Sequence, residues 1–429
     1  MSANHKYWPV LWAVFLFLNP SPFVLAQASR LATNTSSDDS LDWYIQFFEK
    51  VYETMEKNYY QPVSRQDYEN FVEKFKTGIF SQLKGEGRSS NYVRWRAAAL
   101  LVEKLKSPED SFSAFFPPKF AKTFSKEVLG QKVDLGIEGR LTKEGYLVSR
   151  VEPRSDAYQR GLSENDLILR IDKKSVIKLD EKEIVELLTP LIDTSVMVEF
   201  RSAKDGLKKS VGLKSQEYFK QTVFPQPVAI PYVFCLKINS FNRKTSEDLF
   251  RFLPAIESQG ETGLILDLRG NPGGPPLAAR EISSFFLTPG EEFAYFQKTG
   301  QAKAALDVPT IPDQYHYRGP IVILVNKESG SAAELFSGVM QKRNRATLIG
   351  TNTAGKVLLK SMFNFDDESM VLLVTSRGYY PDGSAFSFNG VVPDHMMDES
   401  NRDWAEYAAT YLASVLKKKS TSPEFKEIH

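Results

Sequence analysis

The sequence predicts a multidomain α/β protein: an N-terminal helical segment, a small β-barrel module, and an α/β core with a mainly parallel sheet. Three observations carry this. A chain of 429 residues is too long for one ordinary domain. Near residue 128 the apolar period changes from helical spacing to two, and beyond residue 216 strand and helix patterns alternate.

Residues 1–26 read as a cleaved export signal. His5 and Lys6 give a short basic start, and the apolar run from Trp8 to Leu18 ends at the helix breakers Asn19-Pro20-Ser21-Pro22. Val24-Leu25-Ala26 supplies small residues for cleavage before Gln27. The run is shorter than the ~20 residues a spanning helix needs. The chain has a single cysteine, Cys235, so an exported form folds without an internal disulfide, which suits a bacterial periplasm or exterior. Cys235 sits in the alternating run "YVFCLKINSF" and reads as a small buried hydrophobe rather than a nucleophile. Asn34-Thr35-Ser36 matches a glycosylation sequon but lies in a polar linker.

Residues 27–127 read as that linker and a helical region, in which Leu41, Tyr44, Ile45, Phe48, Val51, Tyr52 and Met55 recur at helical spacing. In residues 128–215 the strands "VDLGIEGRL", "GYLVSRV", "DLILRIDKKSV", "SVMVEFRS" and "KKSVGL" are interrupted by helical "SDAYQRGL" and "DEKEIVELLTPL". This order resembles a PDZ domain. The resemblance puts Leu135-Gly136-Ile137 at the carboxylate-binding loop, whose amides cradle a chain end while the ligand adds a strand to the sheet edge. The alternative is a small structural β domain without a ligand. Residues 216–398 form the alternating core, whose crossover units imply parallel strands and a site at their carboxyl ends. Residues 399–429 give a final short helix and a charged tail.

Charge excludes some partners. The 54 basic and 53 acidic residues nearly cancel, which argues against a general grip on nucleic acid or anionic lipid. Gly350-x-x-x-x-Gly355-Lys356 has the skeleton of a phosphate-binding loop, but Val357 stands where a magnesium-binding Ser or Thr is required, and "VLLKSMFNF" reads as strand or loop instead of a helix start. Nucleotide binding is therefore not expected.

A different chemistry starts at "IVILVNKESGSAAELFSG", where a buried strand turns directly into a helix. A serine there, Ser329 or Ser331, has its hydroxyl at a helix N-terminus, where the free amides favour developing negative charge; it could equally be an ordinary N-cap. A nucleophile needs a base. The four histidines support a triad poorly: His5 lies in the signal, His429 is the last residue, and His316 and His395 fall in loop-like surroundings. Lysine can serve once its amine is neutral.

Taken together, "GLILDLRGNPGG", "VNKESGSAAELFSG" and "IGTNTAGK" resemble, in order and spacing, the carboxy-terminal processing peptidases, or tail-specific proteases; the likeness extends over roughly residues 45 to 398. The resemblance implies that Ser331 is the catalytic serine and Lys356, 25 positions on, its general base. It further implies an oxyanion hole made by the amides of Ala332 and Gly274, with Gly273 the alternative to the latter. Glycine suits that role because a side chain would block close approach of the oxyanion. One departure stands out: Lys360 occupies the place of a glutamine that usually orients the lysine amine. A second ammonium would favour a neutral Lys356 but cannot accept its hydrogen bond, unless Lys360 points to solvent.

The expected protein is thus an exported serine endopeptidase that takes protein substrates by their C-termini and needs neither metal nor organic cofactor. A catalytically silent tail-binding adaptor is the alternative, and a homodimer or an adaptor partner is compatible with either.

Overall fold

The computed structural model describes residues 40–398 and 403–421, apart from residues 86 and 129. The export signal at 1–26, the Asn34 sequon, His5, His429 and the tail beyond residue 421 lie outside the described residues. Among the described residues no helix is long and apolar enough to cross a membrane.

Helix α1 (Leu41–Asn58) starts where the Ser40 hydroxyl accepts from the Trp43 amide, and it buries Tyr44, Phe47, Phe48, Val51, Tyr52 and Met55 on one face. Helices α2 (Arg65–Lys74), α3 (Phe80–Lys84) and α4 (Ser90–Leu105) follow, with serine caps at Ser64 and Ser89. Next come β1 (Ala114–Phe116), α5 (Pro118–Val128) and β2 (Gln131–Asp134). The module predicted for 128–215 then contributes β3 (Ile137–Leu141), β4 (Tyr146–Val151), α6 (Asp156–Gln159), β5 (Leu167–Ile171), β6 (Lys174–Ser175), α7 (Glu181–Leu188), β7 (Ser195–Arg201) and β8 (Lys208–Lys214).

Strand β9 (Gln216–Phe219) pairs back on β2. The remainder runs β10 (Val223–Gln226), β11 (Val233–Ile238), α8 (Thr245–Phe250), α9 (Leu253–Glu257), β12 (Gly263–Asp267), α10 (Pro276–Ser283), β13 (Glu292–Gln297) and β14 (Ala304–Asp307). It continues through β15 (Ile321–Val325), α11 (Ala332–Lys342), β16 (Ala346–Gly350), β17 (Leu358–Asn364), β18 (Met370–Tyr379), β19 (His395–Met396) and α12 (Trp404–Thr421).

The chain divides into two compact units. Among the described residues, the first gathers 40–125 with 292–306 and 357–386. In it an antiparallel sheet of order β1-β18-β13-β14, with β17 also on β18, joins the N-terminal helices in one apolar cluster. Phe48 and Phe75 meet edge to face at 4.8 Å there, and Val371, Leu373 and Val374 of β18 close the same core.

The second unit holds the other described residues, with the two-stranded β2–β9 pair, two larger sheets and their helices. One is the module of order β3-β4-β5-β7-β8 with β6 beside β5. It stays open where the sequence suggested a barrel, because α7 seals its apolar face: Ile184 and Leu188 pack with Ile137, Val148, Ile168 and Val198, so the sheet has no apolar face left to bury by closing on itself. The other sheet has order β10-β11-β12-β15-β16-β19, and every pairing except that of β10 with β11 is parallel. Strands β12 and β15 are buried at every position, as strands covered on both faces must be. Trp404, Ala408, Ala409 and Leu412 of α12 pack on Cys235, Ile265, Val322 and Ile349. Burial, together with the neighbouring Asp267 carboxylate, pushes the Cys235 thiol up to about 12.

Candidate active site

Parallel strands β12, β15 and β16 end side by side: Asp267 stands opposite Leu324, and Val325 opposite Gly350. The loops leaving those three ends, 268–275, 326–331 and 351–357, are laced together by the main chain. The Gly330 amide donates to the Asn271 carbonyl at 2.9 Å, and the Ala354 amide to the Ser329 carbonyl at 2.9 Å. The Ser329 hydroxyl, fully buried, donates to the Leu268 carbonyl at 2.8 Å and accepts from the Asn326 amide at 3.0 Å. Ser329 is therefore committed to holding the turn.

Ser331 has a different conformation. The serines that cap α1, α2 and α4 all have extended backbone, with φ between −77° and −65° and ψ between 117° and 153°. At Ser331 φ is +53° and ψ is −115°, a region a β-carbon makes costly by about 1–3 kcal/mol. Such a residue persists only where its surroundings hold it, and strain of this kind concentrates at functional sites.

Gly273 packs against this serine. A β-carbon on Gly273 would lie 2.7 Å from Ser331 Cβ and 2.8 Å from the Ala332 nitrogen, so only glycine leaves that space open. The turn is tied in place by Asn271, whose Nδ2 donates to the Ile238 carbonyl at 2.8 Å while its Oδ1 accepts the Gly273 amide at 2.8 Å. The Gly273 amide is thus spent internally. Among the described residues the amides of Gly274 and Ala332 donate to no protein acceptor. Gly274 in turn has φ +149°, and a β-carbon there would come within 2.0 Å of the Phe241 carbonyl oxygen.

Lys356 follows Gly355, which has φ +73° and whose absent side chain leaves room for the Phe388 carbonyl oxygen, 1.9 Å from where a β-carbon would sit. The lysine runs into strand β17, not into the helix a phosphate cradle requires. Lys360, within β17, follows a bulge between Leu359 and Lys360, and its Nζ stands 4.3 Å from the centre of the Phe112 ring. Its ammonium therefore meets an aromatic face. His395 is paired with Tyr407 of α12, Nδ1 to the phenol oxygen at 3.0 Å.

One residue was not singled out from the sequence. Glu334, in the first turn of α11 and fully buried, receives the Ser331 and Lys356 amides on Oε2, both at 2.8 Å. The available signal was the spacing Ser331-x-x-Glu334, the pattern of a capping box.

The carboxylate-binding loop has its own accounting. The Leu135 amide donates to the Leu188 carbonyl at 3.2 Å and the Gly136 amide to Asp134 Oδ1 at 2.6 Å, so both are engaged inside the module. Asp134 also pairs with Lys132 at 2.7 Å and accepts the Tyr218 hydroxyl. The Gly136 carbonyl accepts the Glu152 amide across the ladder, which turns the Ile137 amide toward the other side of β3. That side carries no strand among the described residues.

Comparison with known proteins gives a consistent result. Residues 233–397 match the sequence model described as peptidase family S41, and residues 119–199 the one described as PDZ domain. A carboxy-terminal processing protease of Bacillus subtilis, CtpA, is 25% identical over 381 residues, which are 89% of this chain and 73% of that protein. Proteins described as CtpA-like serine proteases from Staphylococcus saprophyticus and Staphylococcus epidermidis are 24% and 26% identical over 82% and 81% of this chain, which spans 65% and 64% of their lengths. Among solved structures, the photosystem II D1 C-terminal processing protease superposes with a TM-score of 0.51 at 20% identity, over 88% of this chain and 98% of that one. The tricorn protease gives 0.55 at 15% identity, over 88% of this chain and 37% of that one. At such identities the two structures speak for the fold.

Proposed function

The chain belongs to peptidase family S41 as a serine-type peptidase of the carboxy-terminal processing group with a PDZ domain, and from that premise we propose that it is an exported endopeptidase cutting proteins near their C-termini. Ser331 and Lys356 form its dyad. The observation that carries this reading is the strained Ser331 backbone beside two amides, Gly274 and Ala332, that have no protein acceptor among the described residues.

In the proposed reaction neutral Lys356 takes the Ser331 hydroxyl proton as the oxygen attacks the substrate carbonyl. The Gly274 and Ala332 amides receive the oxyanion. Lys356 returns the proton to the departing amine, and water, deprotonated by the same lysine, releases the acyl group. The substrate's end enters as an added strand on the open side of β3, where the Ile137 amide faces it. Residues 1–26 would direct export.

Gly273→Ala tests the oxyanion hole. Its methyl group would press on the Ala332 nitrogen, so kcat is expected to fall about 100-fold or more, the scale of losing one oxyanion donor. The function as a whole is tested by incubating the purified mature protein with an unfolded substrate and reading products by mass spectrometry. Cuts clustered near the C-terminus, reduced when that end is amidated, are expected. Absence of cleavage above a buffer control would sink the reading.

A further inference from the structure

We propose that Glu334 is the positioning residue of this active site: its buried carboxylate binds the main chain of the nucleophile and of the base on one oxygen and so fixes their separation. The inference rests on the Ser331–Lys356 dyad.

Four donors converge on Glu334. Oε2 takes the Ser331 and Lys356 amides, each at 2.8 Å, so those two nitrogens lie no more than 5.6 Å apart. Oε1 takes the Thr353 hydroxyl at 2.6 Å and the Gly355 amide at 2.5 Å. The Thr353 oxygen itself accepts the Val391 amide at 2.7 Å, which leaves its single proton for Glu334. Only a group with acceptors alone on both oxygens satisfies all four donors, which is a carboxylate and not an amide.

Two consequences follow for the chemistry. The Ser331 amide is withdrawn from the oxyanion side, so the hole falls to Gly274 and Ala332. The unfavourable Ser331 backbone is also held by a charge-assisted bond at its own nitrogen, while the same oxygen holds the base. A small displacement of either partner misplaces the proton transfer, and errors near 1 Å cost about 100-fold in rate.

Glutamine at position 334 keeps size and one acceptor but aims an amide NH2 at donors. Glu334→Gln is expected to lower kcat about 100-fold per active site, with KM within about twofold of wild type. Titration of reactive serine with a fluorophosphonate supplies the number of active sites, so loss of folded protein lowers the titre and not the rate per site. Should Glu334→Gln fail to fold, Thr353→Val removes one donor bond from Oε1 and is expected to lower kcat about tenfold, with Thr353→Ser restoring it.

A folded Glu334→Gln protein with wild-type kcat per site overturns the proposal, as does a loss confined to KM, or Thr353→Val equal to wild type where it is the variant measured. Ser331→Ala in the same assay separates the two claims. If it is inactive while Glu334→Gln is not impaired, the positioning role alone falls; if it is active, the dyad falls and the role of Glu334 with it.

Discussion

Lys356→Ala is expected to lower kcat/KM by about three orders of magnitude or more, and Ser331→Ala to do the same, because members of a catalytic unit fail together. The hydroxyl of Ser331 is a weak nucleophile until a base removes its proton, which is the role proposed for Lys356. The substitution should leave the fold intact. The main-chain amide at position 356 donates to Glu334, a bond that alanine retains. KM and melting temperature should therefore stay near their wild-type values.

Asp248→Ala is the second large effect, on stability. Asp248, in α8, has no exposed surface and accepts the Arg154 guanidinium at 2.5 Å, the Thr222 amide at 2.8 Å and the Thr222 hydroxyl at 3.2 Å. Arg154 leads into α6 of the PDZ domain and also reaches the carbonyls of Phe219 and Lys220 near 3.5 Å. This is the joint between that module and the peptidase core. Removing the carboxylate strands a largely buried cation and a buried amide, a loss of about 3–5 kcal/mol. Urea unfolding followed by circular dichroism should show the midpoint fall by that amount divided by the slope, with little change in the slope itself. The Arg154→Met, Asp248→Leu pair should recover most of it, since replacing both charges removes the unpaired group. No recovery in the double variant would mean that the joint is not held by this pair.

The parallel core was legible because its strands are buried on both faces: "GLILD" and "IVILV" are apolar throughout and lie between turn signals. The glycines of the 270–274 turn were legible as a cluster, but only geometry separates Gly273, whose amide is spent on Asn271, from Gly274. Glu334 escaped for a related reason. A lone carboxylate early in an apolar helix reads as a capping residue; three of its four donors come from one sequence-distant loop, 353–356, and the fourth is Ser331 itself, none marked by periodicity.

The first compact unit shows the same limit at larger scale. Phe115 pairs with Val371 across more than half the chain, and no local pattern announces a partner that far away. Amide direction in the PDZ loop is likewise invisible in sequence: Leu135, Gly136 and Ile137 are consecutive, yet two donate inward and one faces the open edge of β3.

Cys235 turns the peptidase core into its own stopwatch. It is the only thiol in the chain, it lies 3% exposed on β11, and its raised pKa keeps it protonated at neutral pH. An alkylating reagent at a concentration that outpaces reclosing therefore modifies it at the rate at which β11 comes open, with no second thiol to blur the signal. The opening of the sheet whose loops carry Ser331 and Lys356 can be timed in the unmodified protein, without a fluorophore or an engineered probe.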